Sequence, residues 1–258
     1  MNIQDSKSLQ ALLDHRRVIT IVPHTSPDGD AIGSTLGLYH FLKNQGHDVQ
    51  VIAHTDFPDF LKWMPAADQI LIYPNGESKA QQRIAASSLI FTLDFNNLLR
   101  AKPLTALLEQ SQADFVMVDH HQQPDTYAKI TYSDDKASST CELIYKVITA
   151  LSSEQAINQE IATCLYTGIM TDTGGFRFSM TSPETHRIVA TLLEKGANCT
   201  EIASEVLDSY SLDRLLLLGH VLNDLTYLPQ HHTAYMYISS KTLKQFNFRK
   251  GDTEGFVN

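Results

Sequence analysis

The sequence predicts an α/β protein with a mostly parallel sheet and helices on both faces. Short runs of β-branched, aliphatic and aromatic residues stand at 18–23, 49–53, 88–93 and 114–118. Longer stretches with apolar residues recurring at three and four separate them. The runs lack polar alternation, as strands buried on both sides do, and strand–helix–strand succession implies right-handed crossovers between parallel strands.

Taken in order, VITIVP (18–23) ends in His24 and a turn-rich loop that leads straight into a helix. Gly29, Gly33 and Gly37 recur at four along that helix, which predicts close packing of helix on sheet and leaves the helix N-terminus to an anion. VQVIA, SLIFTL and DFVMV supply three more strands. From about residue 138 the pattern turns helical, with segments at 139–150, 154–170, 183–195, 200–208 and 211–223. Ser139 and Glu142 have capping-box spacing, and Ser182 before Pro183 marks a helix start. Strand character returns at 226–238, followed by the charged, glycine-containing ending KQFNFRKGDTEGFVN. The expected organisation is an α/β catalytic domain over 1–184, a helical connector over 185–225, and over 226–258 the beginning of a smaller C-terminal α/β domain.

At 258 residues, 43% hydrophobic and 19% charged, the chain has material for one to two cores. A net charge of −9 disfavours long duplex nucleic acid, which is held by basic surface through counterion release. No run reaches the roughly 18 apolar residues of a membrane span, and the N-terminus lacks the apolar core of a signal peptide. A cytoplasmic location without membrane partners is expected, and a homodimer stays open. Cys141, Cys164 and Cys199 lack metal or disulfide spacing and read as buried, reduced packing residues.

The chemistry gathers at strand ends. His24, Asp28 and Asp30 follow the first strand, Asp94 follows SLIFTL, and Asp119, His120 and His121 follow DFVMV. An open α/β sheet binds ligands outside the carboxyl ends of its strands. Any one of these residues has an ordinary explanation, since Pro-Asp-Gly-Asp is a good turn and an aspartate caps a helix. The coincidence at one sheet edge does not, because unpaired carboxylates there repel one another. His231 and His232, adjacent but without a flanking aspartate, read as an ordinary loop pair. Asp172, in TGIMTDTGGF, fits as a sixth ligand. Carboxylates and imidazoles without thiolates suit hard or borderline divalent ions, Mn²⁺ first and Mg²⁺ or Co²⁺ next. Asp28, Asp30, Asp94 and Asp172 carry the charge that two such ions balance, and a metal pair suits in-line phosphoester hydrolysis. Neither GxxxxGK[ST] nor GxGxxG occurs.

With these motifs in hand, the chain resembles the DHH phosphoesterase family, named for the triplet Asp119, His120 and His121. HTSPDGDAIGS, TLDFNN, the triplet and TGIMTDTGGF follow in order over about 20–180. The resemblance implies that His24 and Asp28 hold one metal, that Asp30, His120 and Asp172 hold the other, and that Asp94 bridges them. It further implies a catalytic pair in which Asp119 supports the centre and His121 contacts substrate phosphate or donates a proton. Within the family, the PDGDAIGS loop, the TDTGGF motif and the ending DTEGFVN look most like the bifunctional oligoribonuclease and phosphoadenosine-phosphate phosphatase branch, the nanoRNases. Short RNA oligonucleotides or small nucleotides are then the expected partners. Family members continue beyond that ending into a DHH-associated domain with a glycine-rich substrate clamp, so 226–258 is expected to be an incomplete substrate domain. Arg177 is a candidate for substrate phosphate, and Lys241, Lys244, Arg249 and Lys250 form a basic cluster read as a solvated face. A cyclic or linear dinucleotide phosphodiesterase, an inorganic pyrophosphatase and a catalytically silent metal- or nucleotide-binding module use the same ligand set and stay open here.

Overall fold

The buried runs read from the sequence become the centre of one parallel sheet. The computed structural model describes residues 3–208 and 210–257. Helix α1 (Ile3–Leu13) precedes β1 (Val18–Pro23), α2 (Gly29–Asn44) and β2 (Asp48–Ala53). The two-residue β3 (Leu71–Ile72), α3 (Glu77–Ala86), β4 (Leu89–Leu93), the short α4 (Thr105–Glu109), β5 (Asp114–Asp119) and β6 (Ile130–Ser133) complete the sheet. The strand order is β3-β2-β1-β4-β5-β6 with every neighbouring pair parallel. That order reverses direction between β1 and β4, which is where doubly wound sheets open a crevice for ligands.

Period-two alternation sorts the two cores. Leu89, Phe91 and Leu93 of β4 join Ile32 and Leu36 of α2, Ile144 of α5 (Thr140–Leu151) and Leu165 of α6 (Gln159–Asp172) in the larger core. Ile90 points the other way and packs with Ala80 and Ile84 of α3 and Leu108 of α4. Both faces of the central strands are therefore dry, in keeping with their unbroken apolar runs.

After α6 come α7 (Pro183–Glu194), α8 (Cys199–Ala203), which runs into a π-helical turn at Ser204–Asp208, and α9 (Leu212–Asn223). Beyond them lie a small antiparallel pair, β7 (Thr226–Leu228) and β8 (Thr233–Tyr235), and α10 (Ser240–Gln245). Leu217 and Val221 of α9 share a third, small core with Phe256. No helix among the described residues is long and apolar enough to cross a membrane.

Several local expectations change. The helix expected over 154–170 begins only at Gln159, behind the cap Asn158, and continues through Asp172. Strand 226–238 is broken by a turn at Pro229, whose missing N–H cannot serve a ladder. Ser139 accepts the Glu142 N–H, but the Glu142 carboxylate bonds Ser138, Thr185 and Lys146 and does not close a capping box; the reciprocal box forms at Ser182 and Thr185 instead. The glycines of α2 serve helix-on-helix packing, not helix-on-sheet. A Cβ on Gly33 would lie 2.6 Å from the Cys164 carbonyl oxygen and 2.9 Å from Cys141 Sγ, and one on Gly37 would meet Leu165. Cys141 and Cys164 are buried, whereas Cys199 is exposed because it opens the short surface helix α8.

Candidate metal centre

Three strand ends, with the start of α2 that follows the first of them, and the C-terminal end of α6 deliver the polar side chains to the crevice between β1 and β4. His24 is the first residue past β1 and Asp94 the first past β4. Their side chains meet across the switch point, with His24 Nε2 3.4 Å from Asp94 Oδ2. Asp94 adopts a left-handed backbone, φ +65°, which turns its carboxylate across the strand end. Short polar residues tolerate that region better than most, and such strain collects at functional sites.

Asp28 and Asp30 come from the start of α2. Asp28 caps that helix, its Oδ1 accepting the N–H groups of Asp30 and Ala31 at 3.1 Å each. The other oxygen, Oδ2, lies 3.8 Å from His24 Nε2. The buried Asp30 carboxylate accepts the N–H groups of Thr140 at 2.6 Å and Cys141 at 2.8 Å, at the N-terminus of α5. A helix start offers free N–H groups and positive potential, so it stabilises a carboxylate that burial disfavours. The Thr140 hydroxyl donates to Asp94 Oδ1 at 2.9 Å, so one residue orients two carboxylates.

His120 Nε2 stands 3.5 Å from Asp94 Oδ1, 3.5 Å from Asp172 Oδ2 and 3.9 Å from Asp30 Oδ2. Donor atoms of His24, Asp28 and Asp94 form one group able to hold a metal ion, and those of Asp30, His120 and Asp172 form another. Asp94 also groups with His120 and His121. All six expected ligands therefore share one crevice, with Asp94 between the two sets.

The imidazole tautomers suit metal binding. Nδ1 of His24 lies 2.7 Å from the Thr25 carbonyl oxygen, which can only accept, so Nδ1 carries the proton and Nε2 presents a lone pair. Without a metal that position favours a proton: burial lowers the His24 pKa, but the hydrogen bond to Asp94 and the charges of Asp94 and Asp28 more than offset it, and a cation can take the proton's place. A backbone carbonyl on the far nitrogen is the usual partner of a metal-ligating histidine. His121 is tied differently: its Nδ1 donates to Asp119 Oδ1 at 2.7 Å, and its own backbone N–H donates to Asp119 Oδ2.

Charge in the crevice is frustrated when only protein groups are counted. Burial drives the Asp30 carboxyl well above the ordinary carboxylate range, and the charges of Asp94, Asp172 and Asp28 add to that. Burial likewise raises Asp172 to about 6. Burial alone would raise Asp94 too, but the His24 hydrogen bond and the charges of His24, His120 and His121 hold it at about 2. The hydrogen bond to Asp119 lifts His121 above its ordinary value. The donor set thus fits divalent cations, which would relieve the repulsion among the four ligating carboxylates.

Asp28 and Asp172 also line a cavity of about 720 Å³, whose far wall is Val206, Tyr210, Arg214 and the segment 249–256. Arg177 borders this cavity but stands apart from the ligand cluster, its Nε donating to the Gly174 carbonyl at 2.6 Å. Arg249 and Lys250 reach the cavity as well, while Lys241 and Lys244 sit on α10 away from it. Lys250 Nζ bonds Thr55 Oγ1 at 3.2 Å and the Asp56 carbonyl, tying the C-terminal segment to the loop after β2. Half of the basic cluster is therefore a cleft wall and not merely a solvated face. His231 and His232 lie exposed beside the β7–β8 turn, outside the site.

Three neighbours of the site escaped sequence reasoning. Thr140 is one. Arg100, on a 3-10 turn six residues beyond Asp94, is close enough to His121 for its charge to lower that imidazole's pKa. His54, the residue after β2, is buried with neither ring nitrogen paired, and burial together with Lys250 and His24 pushes it down to about 4. Its signal was available: like His24 and Asp94, it is a polar residue directly after a buried strand.

The sheet order, the switch-point crevice and the paired aspartate–histidine clusters define an α/β protein with side-chain groups able to hold metal ions. Residues 18–169 match the N-terminal domain of the DHH family, and the chain belongs to that family. Among proteins it is similar to, the bifunctional oligoribonuclease and PAP phosphatase NrnA of Thermus thermophilus is 31% identical over 209 residues, 81% of this chain and 59% of that relative. The probable bifunctional oligoribonuclease and PAP phosphatase NrnA of Streptococcus mutans is 27% identical over 255 residues, 98% of this chain and 76% of its own. A crystal structure of an exopolyphosphatase-related protein from Bacteroides fragilis superposes with a TM-score of 0.96 at 39% identity, covering 100% of this chain and 76% of that one. The chain thus spans 59% of the length of the first of these relatives.

Proposed function

We propose that this protein is a metal-dependent phosphoesterase that hydrolyses short oligoribonucleotides, 3′-phosphoadenosine 5′-phosphate, or both. The single observation that carries the reading is the pair of ligand groups meeting at Asp94 on the β1/β4 switch point, open to a cavity large enough for a nucleotide. The names of the Thermus and Streptococcus relatives support the substrate class.

In this reading His24 and Asp28 would hold one divalent ion, Asp30, His120 and Asp172 the second, and Asp94 would serve both; Mn²⁺ would be preferred, with Mg²⁺ or Co²⁺ as substitutes. When bound, such a pair supplies charge to the transferring phosphoryl group and acidifies a nucleophilic water. The chain does the rest. Thr140 and the start of α5 fix the carboxylates before substrate arrives, which lowers the reorganisation needed in the reaction. Asp119 holds a proton on His121 Nδ1 and raises the pKa of the ring, so that Nε2, when protonated, donates to a phosphate oxygen or delivers its proton to the leaving oxygen. Arg100 and Arg177 add positive charge at the margins of the site. Residues 1–184 form the catalytic domain, 185–225 the connector, and 226–258 the first part of a substrate domain whose segment 249–256 closes the cleft.

The test is direct. Purified protein with Mn²⁺ should release mononucleotide from a diribonucleotide or phosphate from adenosine 3′,5′-bisphosphate, and release less phosphate from inorganic pyrophosphate. Turnover of pyrophosphate alone would refute the substrate class.

A further inference from the structure

The far wall of the cavity has a construction that the metal chemistry does not require. The Arg214 guanidinium lies over the Tyr210 ring, 3.7 Å from its centroid, with the Phe256 ring at 5.3 Å. An Arg214 N–H donates to the Glu254 backbone carbonyl at 2.7 Å, which pins the cation between the two rings. That bond is to a backbone carbonyl, and the Glu254 carboxylate also lies within electrostatic reach of the same cation. Phe256 is buried in the small core with Leu217 and Val221, so the inner end of the stack is anchored.

Tyr210 is the outer member. One face of its ring carries Arg214, yet the residue remains 41% exposed and borders the same cavity as Asp28 and Asp172. The neighbouring wall is apolar, with Val206, Leu207 and Leu218. One end of the cavity therefore offers the carboxylates of Asp28 and Asp172 at the edge of the ligand cluster, and the other a flat aromatic face backed by a cation. A ligand matched to both ends has an anionic group at one end and a planar, polarisable ring at the other.

We propose that Tyr210, held flat by Arg214, is the stacking platform for the nucleobase of a nucleotide whose phosphate sits at the ligand cluster. This deepens the proposed function and rests on it for the orientation of the ligand. Stacking on a tyrosine face tolerates any base, because every base has a π face. Selectivity of this kind favours nucleotides over phosphate compounds that lack a base. Arg214 is a positioning residue here and Tyr210 the contact.

The experiment compares two probes that differ only in the base, adenosine 5′-monophosphate and ribose 5-phosphate. Calorimetric titration of the Mn²⁺-loaded protein should show tighter binding of the adenosine compound. Tyr210→Ala should weaken that binding at least about fivefold, the lower bound for loss of one base–aromatic stack. It should leave ribose 5-phosphate binding unchanged, and Tyr210→Phe should behave as wild type. Tyr210 is 41% exposed and belongs to none of the three cores, so its truncation leaves them intact, as the circular dichroism melt of the variant checks. Equal affinity of the wild-type protein for the two probes, an unchanged affinity of Tyr210→Ala for the adenosine compound, or equal weakening for both probes overturns the proposal. Base-dependent binding through Tyr210 without hydrolysis of any nucleotide would sink the phosphoesterase reading and leave the platform standing. Hydrolysis indifferent to Tyr210→Ala would do the reverse.

Discussion

Asp94 shows why single residues were the most legible part of this protein. It follows a fully buried strand, where a charged side chain has no packing reason to stand; His24 directly follows the largely buried β1, and the Asp119–His121 triplet begins on the last residue of the largely buried β5. Their partners were less visible. Thr140 lies 46 positions from Asp94 and 110 from Asp30, and nothing local in SSTCEL announces that its hydroxyl and N–H serve those two carboxylates. Such outer contacts commonly tune metal affinity by about 10–100-fold. Thr140→Val, which keeps the shape and the N–H but removes the hydroxyl, should therefore weaken Mn²⁺ binding and activity by about tenfold or more, read by metal titration alongside turnover. His121→Ala separates the other role. It should lower turnover by about 10²–10⁴ while metal content stays near that of the wild type, because a proton donor or phosphate contact is lost and no ion is. Loss of bound metal in that variant would move His121 into the ligand set.

Elements were legible in proportion to their length and burial. The four long buried strands fall within a residue of their expected ends, whereas β3, with two residues, and β6, with two of four residues buried, carry too little pattern to stand out. Helix spacing revealed that Gly33 needs a close neighbour but not which one; the neighbour is α6, known only once the helices are stacked. Glu142 illustrates the same limit. Its spacing from Ser139 suggested a local cap, yet its carboxylate ties α5 to α7 through the Thr185 hydroxyl and to Lys146 and Ser138. Burial would raise its pKa, but hydrogen bonds from Lys146, Ser138 and Thr185 more than offset that and hold it below the ordinary 4.5. A depressed carboxyl pKa stabilises the fold fully above 4.5, and the contribution is lost as pH falls through the lower folded value. Glu142→Ala should cost about 1–3 kcal/mol at pH 7, since it leaves buried donors unpaired. Urea unfolding of both proteins from neutral to acid pH checks the sign: the gap between them should narrow only below 4.5.

At the scale of the whole molecule, the strand order places every ligand-bearing loop at one edge, and the C-terminal segment turns that edge into a cavity. Lys250 reaching Thr55 and the Asp56 carbonyl brings residues 195 and 194 positions apart together, a closure no local pattern foretells. The class of fold was legible because β–α succession constrains topology. The cleft was not, because its far wall joins Val206, Tyr210 and Arg214 to the distant segment 249–256, and no local pattern brings those together.

In the proposed centre six side chains would hold two divalent ions, with Asp94 shared between the two ligand groups. Equilibrium dialysis against Mn²⁺, with bound metal counted per chain for wild type and for Asp94→Asn, tests it most directly; asparagine tolerates the same left-handed backbone while removing the shared charge. Two ions per wild-type chain and a marked loss in the variant are expected, with the thermal melt of the metal-free protein little changed. A wild-type chain that binds no Mn²⁺, or a variant that binds two as tightly, would contradict the two-ion centre.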